Sequence, residues 1–507
     1  MAVTQTAGPG DRVAFFDEQR RNRRATWRLA VASVAGVAAM GLPVSLVITP
    51  LVYGFVLICG ELFNLVHPLP AAVIGPIASA LTAFGAALDG LSGKFAGQTA
   101  APSALVLLAA ALVAPGVVVI VGIWLGVRAV LSRSGVGGLL LALGARDPRP
   151  GDFEERQLQN LIEEMAVAAG LSPPRVVLLD SEGANAAVIG SHAADATVVM
   201  SRRLLDDFSR DETQAIAGHL VGSISNGDLR IAFTLASVFQ TFGLLITLLD
   251  APFGKASAES LRRLVRIILR RTGDVPETDL VGALLAGRLS LNSADDVAAA
   301  GNENPGIWAP LMLANQSVKW TLFLFTTAIV GPVLALLWRA RRYLADATAV
   351  QLTRNPEALW TALAHLIQDG GIVPGGERAV YLFIVGPESV GWRRPAGGKG
   401  WMPTDDKMGT NSFIGFHPQI DRRLRRLQLQ GATSRLSEAR VERTPAQRIV
   451  YGAGAVFVGL LFGVGMIAAF AGMVLFVGVS LFIDALFLGA VHAVFLVLGV
   501  IKSAIIG

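Results

Sequence analysis

Long charge-free apolar stretches alternate along the chain with two polar regions, and that alternation predicts most of its elements. Leu29 to Gly60 and Ser103 to Val127 carry no charged residue. Ile231 to Leu249 and Trp320 to Trp338 are shorter, and Ile449 to Ile501 holds a single charge, Asp484. A bilayer-crossing helix needs about 20 predominantly apolar residues. The first four stretches each read as one span, and the last reads as two joined near Ala471-Gly472. Leu62 to Leu88 is also uncharged, but Pro70, Pro76 and its small residues suit a re-entrant or surface segment. Arg12, Arg20, Arg21, Arg23, Arg24 and Arg28 precede the first span, and Arg128, Arg133, Arg146, Arg149 and Arg156 follow the second. The positive-inside rule puts both clusters in the cytoplasm. Two crossings satisfy them, and a third at Leu62–Leu88 would not. The pattern predicts six spans with both termini inside. The N-terminal apolar run exceeds a signal h-region and no cleavage site follows a short one, so it reads as uncleaved.

The polar regions, Leu131 to Arg230 and Arg339 to Arg448, are separated by the third and fourth spans. In the first, Leu158, Leu161, Ile162, Met165 and Ala166 have helical spacing. Val176–Leu179 and Ala196–Met200 read as short buried strands, with Asn185 to His192 as the turn between them. Ser209 to Asp211 caps a helix through Glu212, Ile216 and His219, and Ser225-Asn-Gly-Asp228 stops it. The order helix, strand, strand, helix predicts an α+β domain whose second half arrives after a membrane hairpin. In the loop of that hairpin, Leu261, Leu264, Val265 and Ile268 share one helical face and Arg262, Arg263, Arg266 and Arg270 the other. This reads as a basic amphipathic helix on the membrane surface or as a surface helix packed on protein. The side of the membrane on which it lies stays open.

Composition sharpens this reading. The chain has 507 residues, 53% hydrophobic and 16% charged, with a mean hydropathy of +0.55. A soluble globular protein has about 25% charged residues, so a soluble enzyme is excluded, and the apolar content excludes disorder. The single cysteine, Cys59, rules out an intramolecular disulfide framework and a Cys-rich zinc site. The net charge of +5 comes with no lysine-rich block and fits membrane topology; no nucleic-acid partner is expected. The expected fold is a polytopic α-helical membrane protein with an α+β cytoplasmic domain split by a membrane hairpin. Its expected parts are a basic N-terminus (1–28), a membrane hairpin (29–130), and a first domain half (131–230). A second hairpin (231–338) carries the polar loop 252–318; the second domain half (339–448) and a C-terminal hairpin (449–507) follow.

Several motifs carry a family resemblance. They are "LIEEMAVAAGLSPPRVVLLDSEGANAAVIG", "ATVVMSRRLLDDFSRDETQAIAGHLVGSISNGDLRIA", Arg341-Arg-Tyr-Leu-Ala-Asp346, and His417-Pro418 followed by Arg422-Arg-Leu-Arg-Arg-Leu427. In this order, and with a hydrophobic hairpin in the right place, they resemble the HtpX and CAAX-prenyl-protease family of integral-membrane zinc metallopeptidases. The resemblance covers most of residues 155–430 and implies a zincin-like domain. It also implies His-Glu-x-x-His on the helix of His219, where two His one turn apart hold the metal and the Glu takes the water proton.

The chain departs from that motif. It reads His219-Leu220-Val221-Gly222-Ser223, so Leu220 stands at the general base and Ser223 at the second ligand; the family's third ligand, a Glu, falls on Arg342. No other His-Glu-x-x-His occurs. The expected site is therefore degenerate at His219, Leu220, Ser223 and Arg342, with no catalytic residue, no metal and no cofactor. In its place a structural pseudo-site is expected from His219, Asp228, Arg342 and Asp346, with Arg342 paired to Asp346 or Asp228. Asp484, with His492 beyond it, is either a functional intramembrane group or an interfacial one. The small-residue series Gly452, Gly454, Gly459, Gly463, Gly465 and Gly472 favours close helix packing, either within the chain or between copies in an oligomer through the C-terminal spans. The expected function is a non-catalytic adaptor or regulator in membrane protein quality control in a bacterial inner membrane. Its expected partners are membrane lipid and a membrane protein or a peptide in the vestigial cleft. The alternatives are an active metalloendopeptidase with an atypical site and a structural subunit of a membrane complex.

Overall fold

The computed structural model describes residues 15–66, 102–251, 331–368, 382–386 and 417–434, together with a few short pieces between and after them. The structure is mostly helical with one small sheet. Helix α1 spans Phe15–Val66 and α2 Pro102–Ala142; α3 (Phe153–Ala168) then leads into strands β1 (Arg175–Leu179), β2 (Ala186–Ile189) and β3 (Thr197–Ser201). Next come α4 (Arg202–Asp207), α5 (Arg210–Ser225) and α6 (Asp228–Asp250), and later in the chain α7 (Gly331–Thr353), α8 (Pro356–Gln368) and α9 (Ile420–Leu429). Most of Leu62–Leu88, Leu261–Arg271, Asp484, His492 and the glycines of the C-terminal hairpin lie outside the described residues.

The sheet has the order β1-β3-β2, with β1 parallel and β2 antiparallel to β3. Its strands are nearly continuous apolar runs because both faces are covered, as a half-exposed strand would not need. Val176, Leu178, Val188, Val198 and Met200 point to the main core with Leu158 and Ile162 of α3 and Ile216, Leu220 and Ile224 of α5. Their neighbours Val177, Leu179, Ala187, Ile189 and Val199 point the other way, onto Leu140 of α2 and Leu143 just after it. The alternation follows from the two-residue repeat of a strand.

The helix ends obey local signals. Asp152 caps α3, accepting from the backbone N–H of Glu154 and Glu155. Ser209 and Glu212 form a reciprocal capping box at α5. Gly227 adopts φ +79°, a left-handed conformation that glycine takes without a Cβ clash, and this ends α5 and lets α6 restart at Asp228.

Two helices among the described residues are long and apolar enough to cross a membrane, Val113–Arg133 within α2 and Asp228–Leu248 within α6. A separate apolar cluster joins Val44 and Ile48 of α1, Phe242 and Leu245 of α6, and Leu334 and Leu337 of α7. The helices do not stop where the polar regions begin. Helix α1 runs on through residue 28, α2 through 130 and α7 through 338, so each carries on from an apolar stretch into a polar region without a break. At the polar end of α1, Gln19 Nε2 donates to Gln351 Oε1 at 2.6 Å on α7. Glu18 Oε1 accepts from Arg426 Nη1 of α9 at 2.5 Å.

Candidate functional site

Helices α5 and α7 face each other closely because α5 turns two glycines to the contact. A Cβ on Gly218 would come within 3.0 Å of Thr353 Cγ2, and one on Gly222 within 3.0 Å of Thr348 Cβ. His219 lies between these glycines in sequence and is fully buried. Its Nδ1 sits 2.8 Å from Asp346 Oδ1 of α7. Its Nε2 has no hydrogen-bond partner among the described residues. Leu220, where the base was sought, is 1% exposed and belongs to the main core.

Arg423 of α9 binds Asp346 in two-point contact, Nε to Oδ2 at 2.8 Å and Nη2 to Oδ1 at 2.7 Å. Its Nη1 donates to Ile384 O at 2.9 Å. A planar guanidinium fork suits a carboxylate in this way. One turn back from Asp346, Arg342 donates through Nη2 to Leu382 O at 2.7 Å and Phe383 O at 2.6 Å. Its guanidinium lies 5.4 Å from the centre of the Trp338 ring. Asp228 is held by Arg341 Nε and accepts from Ser223 Oγ, while Arg341 Nη2 donates to Asn226 O.

The expected pairing of Arg342 therefore needs correction. The guanidinium on Asp346 is that of Arg423, the one on Asp228 is that of Arg341, and Arg342 turns to backbone carbonyls. Spacing of i and i+4 makes Arg342 and Asp346 neighbours, but α9 delivers a fork to the inner face of Asp346. Arg341, Arg423 and Asn185 went unassigned in the sequence reading. All three stand inside or beside the quoted motifs, and only the folded chain shows what they touch.

Burial and charge set the ionisation of the cluster. Burial alone would raise the Asp346 carboxyl, but the charge of Arg423 and the contact with His219 hold it well below the usual carboxylate range. Burial pushes His219 below its ordinary value; Asp346 opposes this, and Arg423 and Arg342 add to it. Burial, then the charge of Arg423, brings Arg342 down to about 10 against the pull of Asp228 and Asp346. The resting cluster has neutral His219, ionised Asp346 and charged arginines.

Acid is expected to destabilise the domain in two stages. His219 stays neutral in the fold but takes a proton in the unfolded chain, so its contribution is present above the ordinary value of 6.5 and lost below it. The contribution of Asp346 is present above its unfolded value of 3.8 and is lost as pH falls toward its depressed folded value. Thermal unfolding in detergent should show a falling Tm below about pH 6.5, then a steeper fall below about pH 4. His219→Gln should flatten the first limb and leave the second. An unchanged first limb in that variant would remove His219 from the account.

The family model of peptidase family M48 matches residues 152–430. A protein described as a protease HtpX homolog from Dictyoglomus thermophilum is 29% identical over 289 residues, covering 57% of this chain and 73% of that protein. One from Streptococcus pneumoniae is 28% identical over 257 residues, covering 46% of this chain and 72% of that protein. No solved structure matches the chain significantly.

These matches correct the expectation of a chain without a cofactor. Family M48 consists of zinc-dependent metallopeptidases, so zinc is the cofactor that the match brings with it. The donors at His219 do not fit a tetrahedral ligand set. Both oxygens of Asp346 are taken by Arg423, and Ser223 is turned to Asp228. No group of three His, Cys, Asp or Glu side chains able to hold a metal occurs among the described residues.

Proposed function

This chain belongs to peptidase family M48, and on that premise we propose that it is a non-catalytic member, an adaptor or regulator of membrane proteins. The observation that carries this reading is Leu220, a hydrocarbon side chain sealed into the core where the family motif places its general base. A leucine takes no proton, and a positioned acid–base group is worth roughly 10²–10⁴-fold in rate. The neighbouring Ser223 and Arg342 are committed to Asp228 and to carbonyls of 382–383. The proposed setting is a bacterial inner membrane, with six spans and both termini cytoplasmic. The exposed arginines at positions 20, 21, 23, 24 and 28 on α1 support that orientation. Membrane lipid and a membrane-protein client are the proposed partners, and protein quality control is the proposed role.

The test is peptidase activity of the full-length protein in detergent, supplied with zinc, on an unfolded protein such as casein. No cleavage above buffer is expected. Zinc-dependent cleavage that disappears in His219→Ala would overturn the reading and favour a peptidase with an atypical site.

A further inference from the structure

Helix α1 has two faces where it leaves its apolar run. Glu18, Gln19, Asn22 and Thr26 recur at helical spacing and are all buried. Glu18 and Asn22 accept from Arg426 Nη1 of α9, at 2.5 and 3.2 Å. The Arg426 guanidinium lies 3.7 Å from the centre of the Tyr343 ring of α7. Gln19 Nε2 donates to Gln351 and, at 3.3 Å, to Thr348 Oγ1 of α7. This grip fixes the rotation of the helix and turns its opposite face outward. On that face Arg20, Arg24 and Arg28 recur every four residues, with Arg21 and Arg23 beside them, and all are exposed. None of them meets a carboxylate among the described residues, whereas Arg175, Arg202 and Arg203 of the domain each do. Trp27 stands among them and is 72% exposed. The exposed Asp17 lies at the far end of this face from the apolar run.

A cationic stripe with an exposed indole, continuous with a charge-free helix, fits the edge of a bilayer. Tryptophan favours the headgroup level, and a guanidinium fork suits a phosphate in two-point contact. With a rise of 1.5 Å per residue, Arg24 and Arg20 stand about 6 and 12 Å along the helix from Arg28. The headgroup layer on one side of a bilayer is about 5–8 Å thick. With the hydrocarbon starting at Leu29, Arg28 and Arg24 fall within that layer. Arg20 falls within a Debye length, about 8 Å, of its outer edge. We propose that Arg20, Arg21, Arg23, Arg24, Arg28 and Trp27 form a binding surface for anionic phospholipid headgroups, held from behind by α7 and α9. A zwitterionic headgroup carries its own cation and gains far less from the stripe. This deepens the lipid partnership proposed above and rests on Leu29–Gly60 entering the bilayer.

Native mass spectrometry of the full-length protein in a non-ionic detergent tests the surface. The probe is dioctanoyl phosphatidylglycerol, and dioctanoyl phosphatidylcholine is the comparison. A basic residue near an anionic lipid surface contributes roughly fivefold, so two engaged arginines give the glycerol lipid a preference of at least about tenfold. Arg20→Gln/Arg24→Gln/Arg28→Gln should reduce the preference to within about twofold while melting as the parent does without lipid. Arg156→Gln/Arg210→Gln, at exposed positions on α3 and α5, should keep it. The preference should also weaken as ammonium acetate is raised from about 0.05 to about 0.5 M, because exposed charges are screened. A parent without preference, or a triple variant that retains it, would overturn the proposal. Displacement of the lipid by millimolar inorganic phosphate would make this a free-anion site and also overturn it. Tighter binding of a single-stranded RNA oligonucleotide than of the glycerol lipid would do the same. Alkaline carbonate washing of the membranes before extraction checks the premise, and retention of the protein is expected. Release would end both the membrane reading and this surface, whereas retention without lipid preference ends this surface alone.

Discussion

Arg423→Ala should lower the stability of the domain by about 3–5 kcal/mol, the usual cost of removing one partner from a buried ion pair. Arg423 is 2% exposed and spends both forks, on Asp346 and on Ile384 O. Its loss leaves an ionised carboxylate in the core beside a neutral imidazole. For a domain of this size, about 1 kcal/mol shifts Tm by roughly 2–4 °C, so the fall should be visible in detergent by thermal unfolding. Arg423→Lys keeps the charge but has no planar fork, and should lie between parent and alanine. Arg425→Ala, exposed two residues further on, should stay within about 0.5 kcal/mol of the parent. The Arg423→Ala deficit should also shrink as pH falls from about 7.5 to about 5.5. Burial still holds His219 down in the variant, but without the charge of Arg423 it is depressed less than in the parent. The parent loses stability as pH falls below 6.5 because its histidine is held down, and a variant with a less depressed histidine loses less over the same range. If Arg423→Ala melts with Arg425→Ala, the pair contributes nothing to holding α7 and α9 together.

Asp228→Ala should have an effect of similar size, again about 3–5 kcal/mol. The carboxylate joins three elements, since it accepts from Ser223 of α5 and Arg341 of α7 while standing as the first residue of α6. Removing it strands the nearly buried Arg341 guanidinium on the single carbonyl of Asn226 and leaves the Ser223 hydroxyl without its acceptor. An acidic residue in a first turn also gains about 0.3–1 kcal/mol from the helix dipole. The exposed Asp211, also in a first turn, is the control and should cost no more than that dipole contribution. Replacing the pair together, Asp228→Leu with Arg341→Leu, should recover most of the loss, because well-packed apolar residues often equal a buried ion pair. A double variant no more stable than Asp228→Ala alone would mean that the network acts through hydrogen bonds to Ser223 and Asn226, not through charge.

The order of elements was readable because each rests on a local rule. The apolar periodicity of Leu158–Ala166, the strands at 176–179 and 196–200, the cap at Ser209 and the stop at Gly227 depend on near neighbours. The structure has them within a residue or so. Strand β2 lay in what had been taken for the turn Asn185–His192. Ala186-Ala-Val-Ile189 is short, and pairs only because β3 and the 382–386 segment flank it. Family membership was readable in the same way, as a series of individually weak motifs in one order.

The sequence by itself determined which positions of the family motif had changed, since Leu220, Ser223 and Arg342 are identities and need no coordinates. The series of motifs also put the helices of His219 and Asp346 in one domain, and the structure packs α5 against α7. Only the tertiary structure decided which cation meets which anion. Asp346 lies 77 residues from Arg423 and Asp228 lies 113 from Arg341, whereas Arg342 stands only one turn from Asp346. Sequence spacing favours that nearest partner because a helix fixes it. In the folded core, desolvation makes each buried charge take whichever group reaches it in the right geometry, and the packing of α9 against α7 sets that reach.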